Sequence, residues 1–201
     1  REKREAEGRR VTASISVTAI SNDLIEEFCE LCNWAFQAWA TFRVLFDDNP
    51  RAAELQRSQG APALKRLNTI CHEYSLLQIA KLHDPAITFG KPTLGIDYIL
   101  NYGGWSEPML IKLKSLAEQL NMFERKLRAA RNKVLSHNDL DAVMSNSRLG
   151  SFDKNDDAKY FQILQEFVDL VHDEVIGGPW PFDDLARRDA AELLDMIKTN
   201  E

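Results

Sequence analysis

The chain has 201 residues, of which 44% are hydrophobic and 28% charged, and a formal net charge of −6. That is enough apolar material for one good core or two small ones, and it excludes a disordered chain. The acidic balance excludes broad, non-specific coating of nucleic acid, though not a local basic site, and no apolar run approaches the roughly 20 residues that a membrane span needs.

Residues 1–20 read as a tail. REKREAEGRR is charged and coreless, and VTASISVTAI alternates Val11, Ala13, Ile15, Val17 and Ala19 with Thr12, Ser14, Ser16 and Thr18. The alternation is that of a strand, but no clear partner strand follows, so an extended arm pairing with another copy is expected. From 21 to 178 the periodicity is helical. A first long helix is expected over Asp23–Phe46, with Leu24, Phe28, Leu31, Ala35, Ala38, Phe42 and Leu45 inward. One or two turns follow over 51–59. A second long helix spans Pro62–His83, burying Leu64, Leu67, Ile70, Tyr74, Leu77 and Ala80, and it stops at Asp84-Pro85.

Residues 85–92 read as loop, and Thr93 caps a short helix over 94–101 that Gly103-Gly104 closes. Residues 106–139 read as one long helix with Ser106 as N-cap and a seam of Leu113, Leu116, Leu120, Phe123, Leu127, Ala130 and Val134. A polar loop over 140–155 leads to a helix over Asp156–Val175. A turn precedes the final segment, 179–201, whose amphipathic helix over Asp184–Lys198 points Leu185, Leu193, Leu194 and Ile197 inward. All seven prolines fall at the ends of these helices, as expected when an interior proline costs about 3 kcal/mol. The fold class is all-α: an antiparallel bundle of four to five main helices.

Several clusters invite chemistry. Cys29-x-x-Cys32 lies inside a helical seam. A zinc site would need two more ligands, Cys71 and His72 at best, and buried thiols filling a helix face are favoured. Three cysteines, an odd count with no signal peptide ahead of them, fit a reducing cytoplasm. Lys81, His83 and Asp84 close a helix. They either complement its dipole and brace the turn before Pro85, which is favoured, or reach into a site. His172 lies on a polar flank and is expected in solvent. Gly103-Gly104 lacks the spacing and the lysine of a phosphate loop.

The main candidate closes the long central helix. From Lys112 to Lys133 there are seven basic residues against two acidic ones, and the seam position after Val134 is His137. Arg131 offers a planar, permanently charged fork for a phosphate, His137 titrates near neutrality, and Asn132 can donate to or accept from a phosphate or ribose oxygen. Together they could cleave RNA without a metal or cofactor. Lys133, Arg128, Lys126 and Arg125 would contact the RNA, and Lys81, His83, Asp84 and Asp139 would stand behind the site. Six residues on a helix is about 600° of rotation, which turns Arg131 and His137 roughly 120° apart. Unless the helix distorts near Ser136, a site built from both is therefore expected to need two copies of the chain. A second pair at the same spacing, Arg66 and His72, lacks an adjacent polar residue and lies mid-helix.

Arg131-Asn132-Lys133-Val134-Leu135-Ser136-His137 resembles the signature of the HEPN superfamily: arginine, a polar residue, four more residues, then histidine, near a helix end. With Leu76 to Pro85, then Thr93-Leu94, and the arginine-rich helix ending RNKVLSHND, the resemblance is to the AbiU-type abortive-infection branch, over about residues 21–175. It implies a helical bundle that dimerises, with paired motifs forming a cleft for metal-independent RNA cleavage. Arg131 would stabilise the phosphate, Asn132 would position it, and His137 would be the acid–base group. A toxin or antiphage effector, with an antitoxin or defence-system partner, is the implied setting. A non-catalytic module of the same fold, binding RNA, a nucleotide or a protein, is the alternative. A plain helical scaffold with His137 in its core is the remaining one.

Overall fold

The computed structural model describes residues 20–130 and 155–197. The chain folds as an all-α bundle: α1 (Asn22–Phe42), a π-helical turn (Arg43–Asp47), α2 (Ala52–Leu55), α3 (Ala61–Leu82), a two-stranded hairpin of β1 (Ile87–Thr88) and β2 (Lys91–Pro92), α4 (Ile96–Tyr102), α5 (Glu107–Ala130), α6 (Asp156–Val175) and α7 (Leu185–Met196). The expected arm over 1–19 and the expected loop over 140–154 lie outside the described residues.

The long helices run antiparallel because their apolar stripes pair from opposite ends. Phe28 meets Phe167, Phe36 and Trp39 meet Phe161, and Phe123 meets Tyr160, so α1 and α5 both lie along α6 in the reverse direction. The seam expected on α5 is buried at Leu113, Leu116, Leu120, Phe123 and Leu127, and α6 occupies the range its periodicity predicts. Pro62 falls in the first turn of α3 and Pro108 in that of α5, where no backbone N–H is needed.

Elsewhere the structure corrects the sequence. The first helix stops being α-helical at Phe42, because the Asp48 N–H reaches back to the Arg43 carbonyl, 2.8 Å away, in a π turn. Arg43 there grips Asp48 with two hydrogen bonds and Asp157 with a third, and the Trp39 indole N–H donates to the same Asp157 carboxylate at 2.8 Å. On α1 the expected seam is buried at Phe28, Ala35 and Phe42, and the core extends beyond it. Ile25, Cys29 and Cys32 are in the core, whereas Leu31 and Trp34 are exposed. Trp34 uses its indole N–H on the Tyr74 hydroxyl, 2.9 Å away on α3.

On α3 the expected stripe is largely outside: Leu67, Ile70 and Tyr74 are exposed, and the buried residues are Ser75, Leu76, Ile79, Ala80 and Leu82. The N-terminal half of α3 projects past the core. On α7, Leu185 and Leu193 are exposed and Ala190 and Leu194 are buried. The expected loop over 85–92 contains the short hairpin, turned by Phe89 and Gly90 at positive φ. Gly103-Gly104 has a packing reason: a Cβ on Gly103 would fall inside the Trp105 ring, whose N–H donates to the Ile99 carbonyl at 2.8 Å. His172 is buried rather than solvated. Its Nδ1 lies 2.7 Å from the Gly178 carbonyl and its ring packs on Trp180.

His72 stacks on Phe42 with ring centroids 5.0 Å apart, and burial holds its pKa below the ordinary 6.5 despite Asp47 and Glu73. A lowered histidine pKa gives stability that is complete above 6.5 and is lost as pH falls through the folded value. His72→Phe keeps the stack and removes the ionisation. The wild type should therefore lose stability relative to this variant between pH 8 and pH 5 in urea titrations. A constant difference across that range would refute the assignment.

The candidate site at the end of the central helix

The motif residues Arg131, Asn132, Lys133, His137 and Asp139 lie outside the described residues. The structure does describe what leads to them. Helix α5 carries the chain as far as Ala130, one residue short of Arg131. Arg128 lies on its last turn. On its exposed flank, Arg125 pairs with Glu118 at 2.9 Å and Lys126 with Asp156 at 2.5 Å. Exposed pairs of this kind are worth about 0–1 kcal/mol, so they leave both cations able to exchange onto a phosphate. The Lys126–Asp156 pair joins the end of α5 to the start of α6. A cleft of about 220 Å³ opens beside it, with Lys126 and Lys159 at its polar side and Met122 and Ile163 at its apolar side.

Behind this end lies a part-buried polar knot. His83 terminates α3 and sits between two helices: its Nδ1 is 2.9 Å from Asn121 Oδ1 on α5, and its Nε2 is 3.0 Å from the Tyr160 hydroxyl on α6. The amide oxygen can only accept, so Nδ1 carries a proton and donates to it. Burial, reinforced by the nearby Cys32 and Glu124, pushes the Tyr160 phenol well above its ordinary range. Tyr160 therefore keeps its hydrogen beside Nε2. His83 is thus neither a simple dipole partner nor a loose surface group but a tie between three helices. Asp84 is half-buried, its N–H bonded to the Lys81 carbonyl at 3.2 Å, and Lys81 is exposed on the last turn of α3.

Sequence reasoning passed over Glu124, which is 1% exposed. The signal was present. Leu113, Ala117, Leu120, Glu124 and Leu127 repeat at steps of four and three, a second buried stripe beside the Leu116–Phe123 one, and Arg131 is the next position in that repeat. Burying a carboxylate is costly unless it is hydrogen-bonded or paired. Among the described residues, no buried side-chain nitrogen or oxygen lacks a hydrogen-bond partner.

Among the described residues no group of histidine, cysteine and acidic side chains could hold a metal ion. Cys29 and Cys32 are fully buried thiols. Burial pushes Cys29 up to about 12, with Glu30, Asp169 and Glu26 adding to it, and Cys32 also well above its usual value. Cys71 is only partly buried and more modestly raised. Since the thiolate is the reactive form, iodoacetamide at pH 8 should label Cys71 first, and Cys29 and Cys32 only after denaturant is added, as read by peptide mass spectrometry. Labelling of Cys29 in the native protein at the rate of Cys71 would contradict this.

Also among the described residues, no helix is long and apolar enough to cross a membrane. No curated protein and no solved structure matches the chain. A family model does: that of HEPN AbiU2, described as AbiU2, aligns with residues 21–196, from the residue before α1 to the last residue of α7. With an all-helical bundle, a basic central helix and the arginine–asparagine–histidine motif directly following it, the chain belongs to the AbiU2 family of HEPN proteins, an abortive-infection-related group.

Proposed function

We propose that the protein is a metal-independent endoribonuclease of the abortive-infection type, acting as a homodimer. The observation that carries this is the family match over residues 21–196 in a chain that retains Arg131, Asn132 and His137 together. The basic flank of α5, with Arg125 and Lys126 exposed on the turns before the motif, supports an RNA backbone as the ligand.

In this mechanism His137 takes the proton from a ribose 2′-OH, and the resulting oxygen attacks the neighbouring phosphorus. The 5′-oxygen leaves with a proton taken from water, giving a 2′,3′-cyclic phosphate and a 5′-OH end. Arg131 stabilises the charge that builds on the phosphoryl oxygens, and Asn132 orients the phosphate. RNA is the substrate, a second copy of the chain completes the site, and an antitoxin or other defence-system protein would restrain it. The free thiols suit a reducing cytoplasm.

The test is purified protein on total RNA, with and without chelator, beside His137→Ala. Chelator-insensitive cleavage that disappears in the variant supports the enzyme. RNA binding that survives in the variant, with no turnover by either protein, would favour a binding module instead.

A further inference from the structure

We infer that the groove between the π turn, α2, the N-terminal half of α3 and the end of α7 is a binding site for a small amphipathic anion: one hydrocarbon chain with a carboxylate-like head. This does not rest on the ribonuclease reading. The cavity is about 830 Å³, inside the range of roughly 300–1,000 Å³ typical of small-molecule sites. Its walls are apolar and come from separate elements: Leu45 and Phe46 from the π turn, Leu64 and Leu67 from α3, and Leu193 and Ile197 from the end of α7.

These are side chains that the sequence patterns for burial, yet Leu67 and Leu193 are 49% and 46% exposed. A hydrocarbon chain laid between them removes that surface from water, with a gain proportional to the area covered. The groove is also pre-formed. Arg51 donates to the Leu194 and Ile197 carbonyls at 2.8 and 2.9 Å, which fixes the end of α7 as a wall.

The polar inventory selects the head group. Asn49 is already committed, donating to the Leu45 carbonyl and accepting from the Arg51 N–H, each at 2.8 Å. Gln56 and Asn68 offer neutral amides, and among the described residues Lys65 is the single charged one of the lining. One cation beside a long apolar wall suits a single-chain monoanion. It does not suit a polyanion such as RNA, whose repeating phosphates would face leucines.

Decanoate below its micelle concentration is the probe, followed by titration calorimetry and thermal melting of the full chain, with decanol and decyltrimethylammonium as controls. Decanoate should bind at one site and raise the melting temperature. Leu67→Glu, at a half-exposed position and so expected to fold, should abolish the effect while keeping the unliganded melting temperature. Lys65→Glu should weaken decanoate about tenfold and leave decanol unchanged, the scale of one ionic contact. Failure of decanoate to bind, or equal binding to Leu67→Glu, would overturn the site. Equal affinity for decyltrimethylammonium would overturn the anionic head.

Discussion

His137→Ala should slow RNA cleavage by about 100- to 10,000-fold, the usual contribution of a positioned acid–base group. Arg131→Ala should cost about 100- to 1,000-fold, the scale of losing one charge-stabilising donor. Arg131→Lys should recover only part of that, because it keeps the charge and loses the planar fork. A chelator should change none of these ratios. The proposed two-copy site makes a further demand. If Arg131 of one copy works with His137 of the other, a mixed dimer of His137→Ala and Arg131→Ala chains holds one intact site, and mixing two inactive variants restores activity. No restoration would place both groups in one chain. Full cleavage by both single variants would remove the enzymatic proposal altogether.

Phe167→Ala should destabilise the fold by about 3–5 kcal/mol, the usual cost of truncating a buried phenylalanine. Phe167 is fully buried where α6 crosses α1, edge-on to Phe28 with centroids 6.0 Å apart. Its neighbours Leu164, Val168 and Val171 are themselves fully buried, so the cavity has little freedom to collapse. For a chain of this size 1 kcal/mol is worth about 2–4 °C, so the melting temperature should fall by about 6–20 °C. Phe89→Ala is the control, since Phe89 sits at the hairpin tip in full solvent. Equal shifts for the two variants would mean that the core is not where the packing puts it.

The parts of the fold legible in the sequence were those where one stripe faces one neighbour. Helix α5 packs largely on α6, so its three-and-four spacing named the buried residues directly. Helix α1 touches α3, α6 and α7, and a helix surrounded on several sides has no single stripe to read. Its core face mixes Ile25, Phe28 and Trp39 with the small Cys29, Cys32, Ala35 and Ala40, and Leu31 and Trp34 are left outside. His172 went the other way because its partners come from a turn. Only the tertiary path brings the Gly178 carbonyl and the Trp180 ring to it. At the candidate site, the motif and the basic flank were legible as local spacing. The knot of His83, Asn121 and Tyr160 was not, because three residues on three helices share no spacing at all.

That knot has a consequence for how the protein can be altered. The end of α5 and the start of α6 are fastened twice, by the shared His83 ring and by Phe123 packed on Tyr160. The 25 residues from 131 to 155 thus span two points that the bundle already holds in register. Closing a chain between fixed ends depends only logarithmically on its length, about 0.6 kcal/mol for each doubling. Sequence inserted between those points is therefore thermodynamically cheap for the bundle. Residues added between those points should leave the melting temperature of the bundle nearly unchanged.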